Sequence, residues 1–251
     1  MIDILEKRHS VRSFLKQELP TDIINKIRSE VTYINSHEAG LNFQLAFNDG
    51  APFEGFKRSY GMFRNVSNYL IAVIDPTFSH AEERAGFWAE NFVIELVKMG
   101  LGTCFVGGTF SRGDVSAIVE VYEKIPFVVA FGYPDVEHTS FLGKVTSSFA
   151  HRKHREPESF LKNQDESKKL AAESGIDLWV ALRAVKCAPS ALNKQPVSLT
   201  VKDTEDGVNL YAEVDDYKKN AVDLGIAKCN VALAVPGVWE WGNDAPFFPN
   251  Q

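Results

Sequence analysis

The chain has 251 residues, 45% of them hydrophobic, enough to bury a substantial core as one large domain or two smaller ones. Its formal net charge of -6 and pI near 5.6 provide no global field that would favour nucleic acid or an anionic membrane, so any anion site must be built locally. Three widely spaced cysteines (Cys104, Cys187 and Cys229), no CxxC and no HExxH argue for small buried hydrophobes rather than a disulfide framework or a metal site.

Residues 1–7 read as a short amphipathic helix that carries acids and lacks the apolar run of a signal peptide. No later window reaches a membrane-spanning length, and a cytoplasmic protein is expected. Arg8-His9-Ser10-Val11-Arg12 then sets two cations and a hydroxyl at alternate positions. Pro20, Thr21 and Asp22 signal a helix start, with Ile23, Ile24, Ile27 and Val31 on one apolar stripe. Residues 43–47 alternate as a strand, and 69–74 form a stronger one ended by Asp75-Pro76.

The longest helix is predicted over 81–99, where Trp88, Phe92, Leu96 and Met99 share a face and apolar residues nearly encircle the axis, as in a central, mostly buried helix. Gly100-Leu101-Gly102 stops it. An apolar run over 103–106 leads to Gly107-Gly108, which reads either as a plain turn or as backbone that a ligand can approach closely. Residues 114–122 read as helical, and 127–131 as a buried strand closed by Gly132-Tyr133-Pro134.

The polar segment 138–148, the basic run HRKHR at 151–155 and the mixed charges of 156–169 read as a connector between halves at 1–149 and 150–251. The basic run is either a solvated face or an anion site; in an extended segment Lys153 and Arg155 fall on one side. A helix over 177–186 leads to the loop 188–196, APSALNKQP. There Pro189 and Pro196 fix φ, while Ser190, Asn193 and Gln195 offer donors and acceptors suited to a heterocycle. Alternating runs at 197–201 and 208–214, joined by a turn at 203–207, predict a β-hairpin. A helix over 222–233 holds Gly225 and Ala227, small enough for close packing, and the aromatic end from Trp239 to Phe248 reads as a loop.

Six segments together resemble the FMN-dependent nitroreductase-like oxidoreductases: RHSVR at 8–12, GLGTCFVGG at 100–108, FGYP at 131–134, KHREP at 153–157, APSALNKQP at 188–196 and DLGIA at 223–227. Members of that family place the APS loop soon after the RxSxR segment and pair two identical chains to build two flavin sites. Here the loop and DLGIA come last. The resemblance therefore implies two diverged half-copies fused in one chain, a pseudo-dimer. The first keeps RHSVR and the glycine pair, with 32–45 standing where its own loop would be, and the second keeps the APS loop. The implied fold is α+β and nitroreductase-like, a mixed, mostly antiparallel sheet flanked by helices with internal pseudo-two-fold duplication and one complete flavin site.

By the same resemblance Arg8, Ser10, Lys153 and Arg155 would hold the phosphate and ribityl end of FMN, with His9 nearby. Arg12 would serve the N1–O2 edge, where reduced flavin is anionic. Gly107 and Gly108 would face N5, and Pro189, Ser190, Ala191 and Asn193 would line the opposite side of the ring. The implied reaction is ping-pong hydride transfer from NADH or NADPH to a small electron-poor acceptor such as a nitroaromatic or quinone, with no side chain nominated as acid or base. Another reaction on the same scaffold is one alternative. A flavin-binding or scaffold protein with a closed pocket is another, suggested by Val197 where many members carry Trp. No nucleic-acid or membrane partner is expected, and the chain should be a monomeric pseudo-dimer or a weak homodimer.

Overall fold

The apolar runs of the sequence become the inner strands of two antiparallel sheets in a computed structural model that describes residues 1–54, 62–137, 155–205 and 207–249. Two compact units emerge: Met1–Lys7, Glu82–Asn91 and Arg152–Gln251 form one, and Arg8–Ala81 with Phe92–His151 form the other.

The Arg8–Ala81 unit holds α2 (Thr21–His37), β1 (Leu41–Ala46), β2 (Asn68–Ile74), β3 (Gly102–Val106), β4 (Val128–Gly132) and the later part of α3 (Ala81–Lys98). Its sheet runs β1-β2-β4-β3 with every pairing antiparallel. All residues of β2 and β4 are buried, as unbroken apolar runs require when both faces of a strand are covered. Strand β1 is an edge, and the Asn35 side chain of α2 satisfies it by donating to Phe43 O and accepting from Phe43 N, both at 2.8 Å.

The helix expected over 114–122 is not there: only a 3-10 turn forms, at Arg112–Asp114. Tertiary bonds occupy the polar groups instead. Ser116 donates its hydroxyl to Asp49 (2.8 Å), and Ile118 exchanges two backbone bonds with the Gln44 amide, while Ile118, Val119 and Val121 stay exposed and leave a helix no face to bury.

The other unit holds α1 (Ile2–Lys7), the first part of α3, α4 (Gln164–Ser174), α5 (Leu178–Cys187), β5 (Ser198–Thr204), β6 (Gly207–Glu213), α6 (Tyr217–Ala234), β7 (Gly237–Trp239) and β8 (Ala245–Pro249). Its order is β5-β6-β8-β7, again antiparallel throughout. Asp177 and Asp216 cap α5 and α6 by accepting from Val180 N and Lys219 N. Two expectations are corrected. The supposed connector contains α4, whose buried face is only Ser167 and Ala171; it is tied to β5 by Val201 N donating to the Ser167 hydroxyl, not by an apolar stripe. The aromatic end forms β7 and β8, with the Trp239 and Phe247 rings tilted against each other, their centres 4.8 Å apart.

Each half thus runs strand, strand, long helix, strand, strand, with the same spatial order, first-second-fourth-third. The fold is α+β, and the internal duplication is explicit in this repeated topology. Among the described residues no helix is long and apolar enough to cross a membrane.

Candidate functional site

In the Arg8–Ala81 unit the segment from Arg8 lies along β3, where Ser10 pairs with Thr103 and Val11 N donates to Thr103 O at 2.8 Å. Val11 is buried over Gly102, where a Cβ would come within 2.7 Å of its side chain. An extended segment sends alternate residues to opposite sides, so Arg8, Ser10 and Arg12 emerge together, half-buried, while His9 is exposed. All three act on the Cys104 thiol. Burial pushes that thiol up, while Arg12, a hydrogen bond with the Ser10 hydroxyl and Arg8 pull it the other way.

Gly107 and Gly108 follow β3, both exposed, with open space where a Cβ would stand. Neither has a positive φ, so the conformation does not demand glycine; the missing side chains leave the backbone accessible. Arg112, which no sequence pattern singled out, donates to Gly107 O at 3.0 Å and lies 4.9 Å from the Phe110 ring centre. Two guanidinium groups, a hydroxyl and uncovered backbone are donors that fit an anionic ligand.

In the other unit the 188–196 loop is held in an unusual backbone conformation. Leu192, Asn193 and Gln195 all adopt positive φ, at 54°, 50° and 51°, a region L-residues avoid. The Ser190 hydroxyl accepts from Gln195 N at 2.8 Å, and the Asp223 carboxylate accepts from Ala191 N at 3.1 and 3.3 Å. Gln195 is buried, its side-chain carbonyl accepting from Arg155 N and its backbone carbonyl from Arg155 Nη1, both at 3.0 Å. Arg155 also bonds Ser159 and stacks 4.4 Å from the Phe160 ring centre, so this expected phosphate ligand braces the loop. Burial pushes the Asp223 carboxyl up to about 6 against the opposing pull of the Ala191 amide and Lys194. A small cavity beneath the loop is lined by Phe160, Val185, Pro189, Val197, Asp223 and Ala227.

Pro189, Ser190, Ala191 and Asn193 therefore share one loop, and Arg8, Ser10 and Arg12 share one extended segment that runs along β3. Lys153 lies outside the described residues. At 32–45, which stands where the first half's own loop would be, α2 runs to His37 and β1 begins at Leu41, so the connection there is only Glu38, Ala39 and Gly40.

A family model described as "Putative TM nitroreductase" matches residues 1–235, and the chain belongs to that family. Its structure is similar to that of a putative nitroreductase from Thermotoga maritima, with a TM-score of 0.62 and 22% identity over 98% of this chain and 91% of that one. It also matches, over about half its length, an FMN-dependent nitroreductase from Clostridium difficile (TM-score 0.42, 16% identity, 56% of this chain and 91% of that one). A similar match is a nitroreductase with bound FMN from Bacteroides fragilis (0.44, 20%, 55% and 89%). No curated protein matches the sequence significantly.

Proposed function

We propose that this chain is an FMN-dependent oxidoreductase that takes hydride from NADH or NADPH and passes it to a small electron-poor acceptor such as a nitroaromatic or quinone. Membership of the nitroreductase family supports the class. The observation that carries the ligand assignment is the gathering of Arg8, Ser10 and Arg12 on the segment along β3, the strand that ends at the uncovered Gly107-Gly108 backbone, a local cationic site in an acidic protein. Bound FMN would supply the two-electron chemistry at N5.

The chain's own residues bind and polarise. Arg8, Ser10 and Lys153 hold the phosphate and ribityl end, with His9 at their edge, and Arg12 stabilises negative charge on the reduced ring. Gly107 and Gly108 present backbone N–H groups. Arg155 fixes Gln195 and with it the loop that carries Pro189, Ser190, Ala191 and Asn193, the residues we assign to the ring. RHSVR and the APS loop each occur once in the sequence, so one FMN per chain is expected.

The test is to count flavin released from gently purified protein against chain concentration, then add NADH or NADPH without oxygen and follow bleaching of the flavin band. About one FMN per chain and rapid bleaching are expected. No uptake from excess FMN, or two flavins per chain, would sink the reading. Arg8→Gln should weaken FMN by about 10- to 100-fold, the size of one lost charge-assisted hydrogen bond. Riboflavin, lacking the phosphate, should lose far less affinity from that substitution than FMN does.

A further inference from the structure

We propose that Asp223 is the positioning residue of the 188–196 loop: its ionised carboxylate, fixed on α6, holds the Ala191 amide and keeps the loop in the conformation that receives the flavin ring. The inference rests on the reading of that loop as a flavin contact. Its structural basis is independent. Three L-residues of the loop sit in the left-handed region, a conformation the chain does not choose for itself and that surrounding bonds must impose. The bonds that impose it are the internal Ser190–Gln195 clasp, the Arg155 brace on Gln195, and the Asp223 hold on Ala191, which reaches back 32 positions from α6. Of these anchors only Asp223 is a buried carboxylate, 7% exposed.

The groups packed around it are mostly apolar. Phe160 of the 157–160 turn, Val185 of α5, and Pro189 and Val197 at the two ends of the loop line the cavity with it. The charged neighbour is Lys194 on the loop, whose field favours the carboxylate. Burial raises this carboxyl to about 6 and the Ala191 amide opposes the rise, so the amide bond favours the ionised form present at neutral pH. Removing the charge by substitution should loosen the loop and weaken the ligand together.

The experiment measures FMN affinity of the full chain by flavin fluorescence at pH 8 for the parent, D223N and D223A, with hydrogen exchange at the Ala191 amide followed in parallel without flavin. D223N, which keeps a neutral acceptor for Ala191, should bind FMN about tenfold more weakly than the parent, the size of one hydrogen bond changing from charged to neutral, and D223A more weakly still. Exchange at Ala191 should quicken in D223A and, to a smaller extent, in D223N. FMN affinity in D223A equal to the parent's, or an unchanged Ala191 amide in D223A, would overturn the assignment. If even the parent takes up no FMN, the flavin reading fails, and the exchange measurement still decides whether Asp223 sets the loop.

Discussion

Lys228→Met is expected to destabilise the protein by about 3–5 kcal/mol, the usual cost of removing one partner from a buried ion pair. For a chain of this size that corresponds to a fall in the thermal midpoint of roughly 6–10 °C. Lys228 and Glu83 are both fully buried, their Nζ and Oε1 atoms 2.5 Å apart. The ammonium spends its other two protons on Glu240 O at 3.0 Å and Gly242 O at 2.8 Å. The second carboxylate oxygen accepts from the Tyr217 hydroxyl at 2.6 Å and from Gly242 N at 2.9 Å. Burial lowers the Lys228 pKa and Glu83 opposes that, while burial and Glu83 together hold the Tyr217 hydroxyl protonated.

Methionine keeps the volume but leaves the Glu83 charge and two carbonyls without the cation. Glu83→Leu should cost a similar amount by stranding the ammonium. The double variant should cost clearly less than the sum of the two, because a well-packed apolar pair can replace a buried ion pair at little net cost. Urea and thermal unfolding of the four proteins measure this; a single variant melting within about 2 °C of the parent would show that the network carries no such weight.

This network also marks the boundary of what the sequence discloses. Glu83 and Lys228 stand 145 positions apart, and no periodicity announces that they meet. Lys228, inside a helix of small and apolar residues, reads as an ordinary solvated lysine. Patterns that depend on neighbours along the chain were readable: the fully buried runs of β2 and β4, the encircled helix α3, and the β5–β6 hairpin with its turn. Where the deciding bond is tertiary and polar, the pattern misleads. Ser167 anchors α4 through its hydroxyl, and Asp49 and Gln44 hold 116–118 out of a helix. The candidate site was legible for the same local reason: RHSVR and APSALNKQP are contiguous, so spacing alone groups their donors. Asp223 was visible only as part of DLGIA, and its grip on Ala191 needed the fold.

Gly225→Ala is expected to be as damaging as the loss of Lys228, at or above the roughly 3 kcal/mol upper range of ordinary overpacking. Within the unit that contains Glu82–Asn91 and α6, helices α3 and α6 cross with backbone against backbone. A Cβ on Gly225 would overlap Glu83 O and come within 2.8 Å of Phe87 N; one on Gly86 would overlap Val222 O and come within 3.0 Å of Val222 Cα. These are main-chain atoms, so no side chain can swing aside, and the helices would have to separate. The crossing is reciprocal: Gly86 follows Glu83, and Gly225 follows Val222, by one helical step of three. Each glycine also stands at the same distance after the start of its strand, Asn68 or Gly207.

The duplication has therefore kept the glycine in both copies because each copy's backbone fills the space that a side chain on the other would need. Gly86→Ala should cost about as much as Gly225→Ala, and the pair should cost less than their sum, since helices already parted by one methyl accommodate the second. Gly113→Ala is the control: a Cβ there meets nothing within 4 Å and φ is not positive, so its effect should stay within about 0.5 kcal/mol. Thermal and urea unfolding of these variants decide the matter. A Gly225→Ala protein as stable as Gly113→Ala would mean that the helices can part freely, and that the repeated glycine is an inheritance without a present structural use.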